Sequence, residues 1–122
     1  MAQRLCRADE LAEGEARGFV FGTGLARRAV FVLRQNGTLH AYVNACPHEG
    51  TPLEISPDRF FDALGRHLIC RTHGALFRPE DGFYIAGPCA GKSLVPASIH
   101  VDEGTIWLSE EENRGTRGRG NS

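Results

Sequence analysis

Asn44-Ala45-Cys46-Pro47-His48-Glu49-Gly50-Thr51-Pro52-Leu53 and, further on, Cys70-Arg71-Thr72-His73-Gly74-Ala75-Leu76-Phe77 are the stretches on which the reading of this chain turns. Each pairs a cysteine with a nearby histidine, as C-x-H and then C-x-x-H, and the 21 residues 49–69 separate the pairs. Glycine and proline crowd both pairs, so each belongs to a loop and not to a helix. Two such loops side by side at one end of a β scaffold would present Cys46, His48, Cys70 and His73 to one metal centre. Thiolates and imidazoles suit iron–sulfur clusters, zinc or copper.

The surrounding sequence supplies that scaffold. Fifteen glycines and six prolines punctuate short apolar runs, the pattern of many short strands joined by turns. Strands are predicted at 4–6, 18–21, 29–33, 39–43, 67–69, 93–95, 98–101 and 105–108. Gln35-Asn36-Gly37 lies between two of them, and Asn-Gly favours a hairpin turn with positive φ. Asp102-Glu103-Gly104 gives a second hairpin signal. Short helical turns are predicted at 9–13, with Asp9 as the cap, and at 56–62. The fold class is all-β, an antiparallel β-sandwich or small barrel with loops inserted.

The remaining composition narrows the partners. A chain of 122 residues builds one domain with one modest core. The formal net charge of -1 gives no electrostatic case for nucleic acid. No apolar run approaches the roughly 20 residues of a membrane helix. Residues 1–9 lack the apolar core of a signal peptide, so a cytoplasmic location is the default expectation. Four cysteines, Cys6, Cys46, Cys70 and Cys89, would then stay reduced, and ligation is a better reading than two disulfides. Residues 111–122 contain no apolar side chain and repeat arginine and glycine. They are expected to be a disordered tail beyond a domain at 1–110. Glu110, Glu111 and Glu112 beside its three arginines weigh against RNA binding.

The ligand spacing separates two metal readings. Zinc pairs usually leave roughly two to four residues between ligands, so a single intervening residue is tight for one zinc ion. In a two-iron cluster the two residues of each loop can serve different irons. Cys46 and Cys70 would hold one, His48 and His73 the other. Zinc stays as the alternative.

With these residues in place, the chain resembles a Rieske ferredoxin. His48-Glu49-Gly50-Thr51-Pro52-Leu53 resembles the family's first loop. His73-Gly74-Ala75-Leu76-Phe77, Asp81-Gly82, Gly87-Pro88 and Leu94 resemble its second loop and the proline-bearing loop near the cluster. The resemblance covers roughly residues 4–108. It implies a Rieske-like β-sandwich, a cluster-binding subdomain formed by the two loops, and one [2Fe–2S] cluster on Cys46, His48, Cys70 and His73. It further implies transient partners, a flavin-dependent reductase that donates electrons and a terminal oxygenase that accepts them. The chain itself would be no enzyme, and would bind neither nucleic acid nor membrane. A small Rieske subunit of an assimilatory nitrite reductase-like complex is the alternative. A complete oxygenase would need a second iron site on a domain for which the length leaves no room.

Two departures from the family's high-potential members bear on redox behaviour. Those members carry an extra cysteine in each loop, where this chain has Thr51 and Thr72. They also direct a serine and a tyrosine hydroxyl at the cluster, where this chain has Ala75 and Phe77. Fewer donors stabilise the more negative reduced cluster less. The predicted potential therefore lies near the low end of the Rieske range.

Other residues receive plainer readings. Cys6 and Trp107 are expected in the core, and Cys89 as a small apolar filler. His40, His67 and His100 lack ligand spacing. Phe60 and Phe61, in the spacer between the ligand pairs, are expected to pack on the core. Glu49 and Arg71 flank the ligands, as solvated charges or as contacts to a redox partner.

Overall fold

The computed structural model describes residues 2–22, 24, 27–47, 50, 52–72, 74–87 and 92–109. Nine strands lie among them: β1 (Ala2–Arg7), β2 (Ala16–Phe21), β3 (Arg28–Gln35), β4 (Thr38–Val43), β5 (Leu68–Ile69), β6 (Leu76–Phe77), β7 (Tyr84–Ala86), β8 (Ile99–Asp102) and β9 (Thr105–Ser109). They form three antiparallel three-stranded sheets, ordered β1-β9-β8, β2-β3-β4 and β5-β6-β7. The all-β expectation holds.

β3 explains the layering. Its residues Phe31, Val32, Leu33 and Val30 are all buried, a continuous apolar run of the kind a strand covered on both faces requires. Alternate residues point opposite ways. Val30 and Val32 join Leu5, Ile106 and Leu108 in one core against the β1-β9-β8 sheet. Phe31 and Leu33 join Leu53, Phe60, Leu68, Phe77, Cys46 and Cys70 in a second core on the other side. The middle sheet is thus sandwiched, and Cys46 and Cys70 belong to its second face.

Both hairpins form as the turn chemistry predicts. Gln35 pairs with Thr38 across Asn36 and Gly37, whose φ values are 54° and 76°. Asp102 pairs with Thr105 across Glu103 and Gly104, at 53° and 80°. Positive φ at both central residues is the type I′ turn that matches strand twist. Glu13 reinforces the first turn, its carboxylate accepting the N–H of Asn36 and of Gly37.

Several local expectations are corrected. Residues 93–95 form no strand. Leu94 N–H bonds Gly82 O while Val95 O accepts from Val43 N–H, so the extended segment divides its hydrogen bonds between two partners, and Pro96 next in line has no N–H to extend a ladder. Residues 56–62 make a single turn, closed by Arg59 N–H on Ser56 O, and Asp58 at φ 62° stops it from continuing as a helix. The early helical turn is one 3-10 turn at Ala8–Glu10, shifted towards the N-terminus, so Asp9 lies inside it and caps nothing. β6 and β7 were not expected, being too short to display a period. Trp107 is half-buried and off the core, because Ile106 and Leu108 on either side of it take the inward face of β9. It lies between Arg4 and His100 of the neighbouring strands.

Cys6 is in the core as expected, and burial pushes its thiol up. Phe60 is fully buried, stacked on Phe31 with ring centroids 4.2 Å apart, and Phe61 packs half-buried against the same core. The spacer is held to β2 by Gly18 N–H on the Asp58 carboxylate at 2.8 Å.

Candidate metal centre

Cys46 and Cys70 are distant in sequence but lie in one apolar cluster, each wholly buried at 0% exposure. Cys46 follows the end of β4 and Cys70 the end of β5. Both loops close by the same device. Cys46 O accepts the N–H of Gly50 at 2.6 Å, and Cys70 O accepts the N–H of Gly74 at 2.7 Å. Each is an i to i+4 turn ending on a glycine at φ 80°, a conformation that glycine alone adopts at little cost. Cys70 N–H is itself bonded to Ala75 O at 2.9 Å. A glycine thus closes the turn that follows each cysteine.

The loops are also bonded to each other. Arg71 N–H, next to Cys70, donates to Leu53 O of the first loop at 2.8 Å. Leu53 N–H in turn donates to the Asn44 side-chain oxygen at 2.9 Å, and the Asn44 amide donates to Glu54 at 2.9 Å. Asn44 is buried and anchored by its own N–H to Ala29 O on β3. Asn44 therefore connects the middle sheet to the first loop, and the Arg71–Leu53 bond joins that loop to the second. Sequence reading missed Asn44, because an asparagine beside Cys46 has no local signal that separates a buried, bonded amide from an exposed turn residue.

Of the predicted ligands, His48 and His73 lie outside the described residues, as do Glu49, Thr51, Pro88, Cys89 and the tail at 111–122. Among the described residues no group of three His, Cys, Asp or Glu side chains gathers. The two described donors nevertheless fit a thiolate-bound group. Both sit in one buried cluster on loops fixed to each other, and a glycine N–H returns to the carbonyl of each cysteine. Arg71 is held at the site's edge, its guanidinium donating to Phe61 O at 2.8 Å. Ala75 and Phe77 are fully buried and carry no hydroxyl.

The other histidines stand apart from this cluster. His67 Nδ1 lies 3.5 Å from Asp62, which also accepts the N–H groups of Arg66 and His67. Burial alone would raise the Asp62 carboxyl, but these bonds together hold it below its ordinary range. His100 meets Ser109 Oγ at 3.0 Å, and His40 lies on β4 opposite Leu33.

The family model for the Rieske [2Fe–2S] domain matches residues 1–102. No curated protein matches the chain. Among solved structures, the ferredoxin of carbazole 1,9a-dioxygenase from Nocardioides aromaticivorans IC177 is similar at 23% identity and TM-score 0.65, over 89% of this chain and 97% of that one. A chain in the complex of reduced oxygenase and oxidized ferredoxin in carbazole 1,9a-dioxygenase is similar at 20% identity and TM-score 0.68, over 88% and 92%. The quaternary ammonium Rieske monooxygenase CntA is similar at 19% identity and TM-score 0.72, over 94% of this chain but 33% of that one. These likenesses establish a common fold. β9, which pairs with both β1 and β8, carries that fold past the matched residues to Ser109.

Proposed function

Because the chain belongs to the Rieske [2Fe–2S] domain family, we propose that it is a ferredoxin carrying single electrons from a flavin-dependent reductase to a terminal oxygenase, with Cys46, His48, Cys70 and His73 as the cluster ligands. The observation that carries this reading is the pair Cys46 and Cys70, wholly buried together on two loops joined by the Arg71–Leu53 bond. When bound, a [2Fe–2S] cluster takes up and gives back one electron. Two thiolates and two neutral imidazoles leave its oxidised form uncharged, so adding an electron costs less than for a four-thiolate cluster.

The protein's own contribution is to hold the donors and to keep water away. Cys46 and Cys70 are placed by glycine turns and by Asn44, and the apolar walls from Leu53, Leu68, Phe77 and Leu94 surround them. The fold has no substrate chemistry to perform in this role. The domain is assigned to residues 1–110, with 111–122 as an Arg/Gly tail. Among the described residues no helix is long and apolar enough to cross a membrane. The cytoplasm is the proposed location.

EPR of the dithionite-reduced protein, with iron and acid-labile sulfide counted on the same sample, tests the reading. A rhombic signal of low average g with two irons and two sulfides per chain is expected. A silent spectrum with one zinc per chain would overturn it. Conversion of Cys46 or Cys70 to serine, or of His48 or His73 to alanine, is expected to abolish that signal.

A further inference from the structure

β6 and β7 are two and three residues long, so their geometry depends on side-chain ties. Phe77 pairs with Tyr84 and Leu76 with Ala86, which leaves Ile85 as an extra residue, a bulge. The bulge shifts β7 by one position, so that Gly87 comes to lie against Ala75. The approach is close. A Cβ on Gly87, whose φ is +111°, would stand 2.6 Å from Ala75 Cα and 3.2 Å from Ala75 N. Ala75 is the residue whose carbonyl receives the N–H of Cys70.

Tyr84 secures this arrangement from two directions. Its ring meets Phe77 edge-on, with centroids 6.4 Å apart at 68°. Its hydroxyl donates to the carbonyl of Gly87, and its backbone N–H donates to Ser93 Oγ at 3.0 Å. One residue therefore grips the chain at positions 87 and 93. Phe77 itself carries no hydroxyl, so Tyr84 brings the phenol of this pair. A phenol has a single proton to donate, and this one goes to a carbonyl.

We propose that Tyr84 is a positioning residue of the cluster site, its hydroxyl holding Gly87 down on Ala75 and thereby setting the surroundings of Cys70 and the reduction potential. The proposal rests on Cys70 being a ligand. Cluster potentials follow hydrogen bonding at the sulfurs and solvent exposure. Releasing Gly87 from Ala75 admits water beside Cys70, and water stabilises the more negative reduced state. The potential then rises.

The test compares the full-length, cluster-loaded wild-type chain with Tyr84→Phe, which keeps the ring against Phe77 and removes only the oxygen. The midpoint is read by EPR-monitored redox titration, and iron and sulfide are counted on both proteins. Tyr84→Phe is expected to keep two irons and two sulfides. Its reduction equilibrium is expected to move about threefold towards the reduced form, an upward shift of ~30 mV at 59 mV per tenfold for one electron. Ser93→Ala is expected to shift it less in the same direction. A Tyr84→Phe midpoint equal to wild type overturns the proposal, even where the cluster bleaches faster in air, since that combination marks a contact with stability alone. Should Tyr84→Phe fail to hold a cluster, the Ser93→Ala midpoint decides: an upward shift supports the proposal and an unchanged value overturns it. A wild-type chain without two irons and two sulfides refutes the ligand assignment itself, and the metal count alone tells that failure from the other.

Discussion

The backbone N–H of Arg71 donates to the carbonyl of Leu53 at 2.8 Å, and that one bond joins two loops that are separate in sequence. Leu53 is in turn held through its own N–H by the Asn44 side chain. The position of Cys70 relative to Cys46 therefore depends on an asparagine at the end of β4.

Replacing Asn44 with alanine removes the acceptor for Leu53 N–H and the partner of Glu54. A buried donor left unpaired costs about 1–3 kcal/mol. The urea midpoint of Asn44→Ala is expected to fall accordingly, with weaker retention of the cluster. An unchanged midpoint would show that water replaces the amide at no cost.

Gly82 and Gly50 both have positive φ but differ in surroundings. A Cβ at Gly82 would stand 2.8 Å from the Tyr42 ring and 3.1 Å from Leu94, whereas one at Gly50 meets nothing within 4 Å. Gly50→Ala is expected to cost about 1–2 kcal/mol, the left-handed strain alone. Gly82→Ala adds overpacking of about 1–3 kcal/mol. Thermal unfolding of the two variants should rank them in that order, and equal losses would contradict the packing at Tyr42.

Tyr42 is buried and its hydroxyl donates to Pro79 O at 2.6 Å, tying β4 to the turn before β7. Burial, helped by Asp81 and Glu80, raises its pKa well above the usual phenol value. In the folded protein the proton is held more tightly than in the unfolded chain. The resulting stability is complete below about pH 10 and is lost as pH rises past it. Tyr42→Phe is expected to cost about 1 kcal/mol at neutral pH and to flatten the alkaline fall in stability. Denaturant titrations from about pH 8 to about pH 11, the window around the phenol value, would show parallel curves if the assignment were wrong.

Ala75 and Phe77 place no hydroxyl beside the ligand loops, and the hydroxyl of Tyr84 is engaged by Gly87. The midpoint potential is expected near the low end of the Rieske range, about -150 mV. A redox titration giving a value well above 0 mV would require donors to the cluster from elsewhere.

The sequence by itself determined the elements whose signals are local. Asn36-Gly37 and the glycine of Asp102-Glu103-Gly104 favour positive φ, so both hairpins were readable, and the register of each came with the fold. The apolar run at 29–33 announced a strand, and the structure covers it on both faces. The paired Cys and His motifs marked the candidate site, because ligand chemistry restricts residue type and spacing together. Only the tertiary structure decided what depends on distant partners. β6 and β7 are two- and three-residue strands that exist through pairing with each other and with β5, and no period can appear in so few residues. Residues 93–95 look like a strand, yet their bonds are divided between Gly82 and Val43. Trp107 reads as core until Ile106 and Leu108 fix which face of β9 turns inward. Asn44, Tyr84 and Gly87 carry no motif of their own. Their importance lies in what folding brings against them, Leu53, Phe77 and Ala75, and a contact of that kind has no signature in the order of residues.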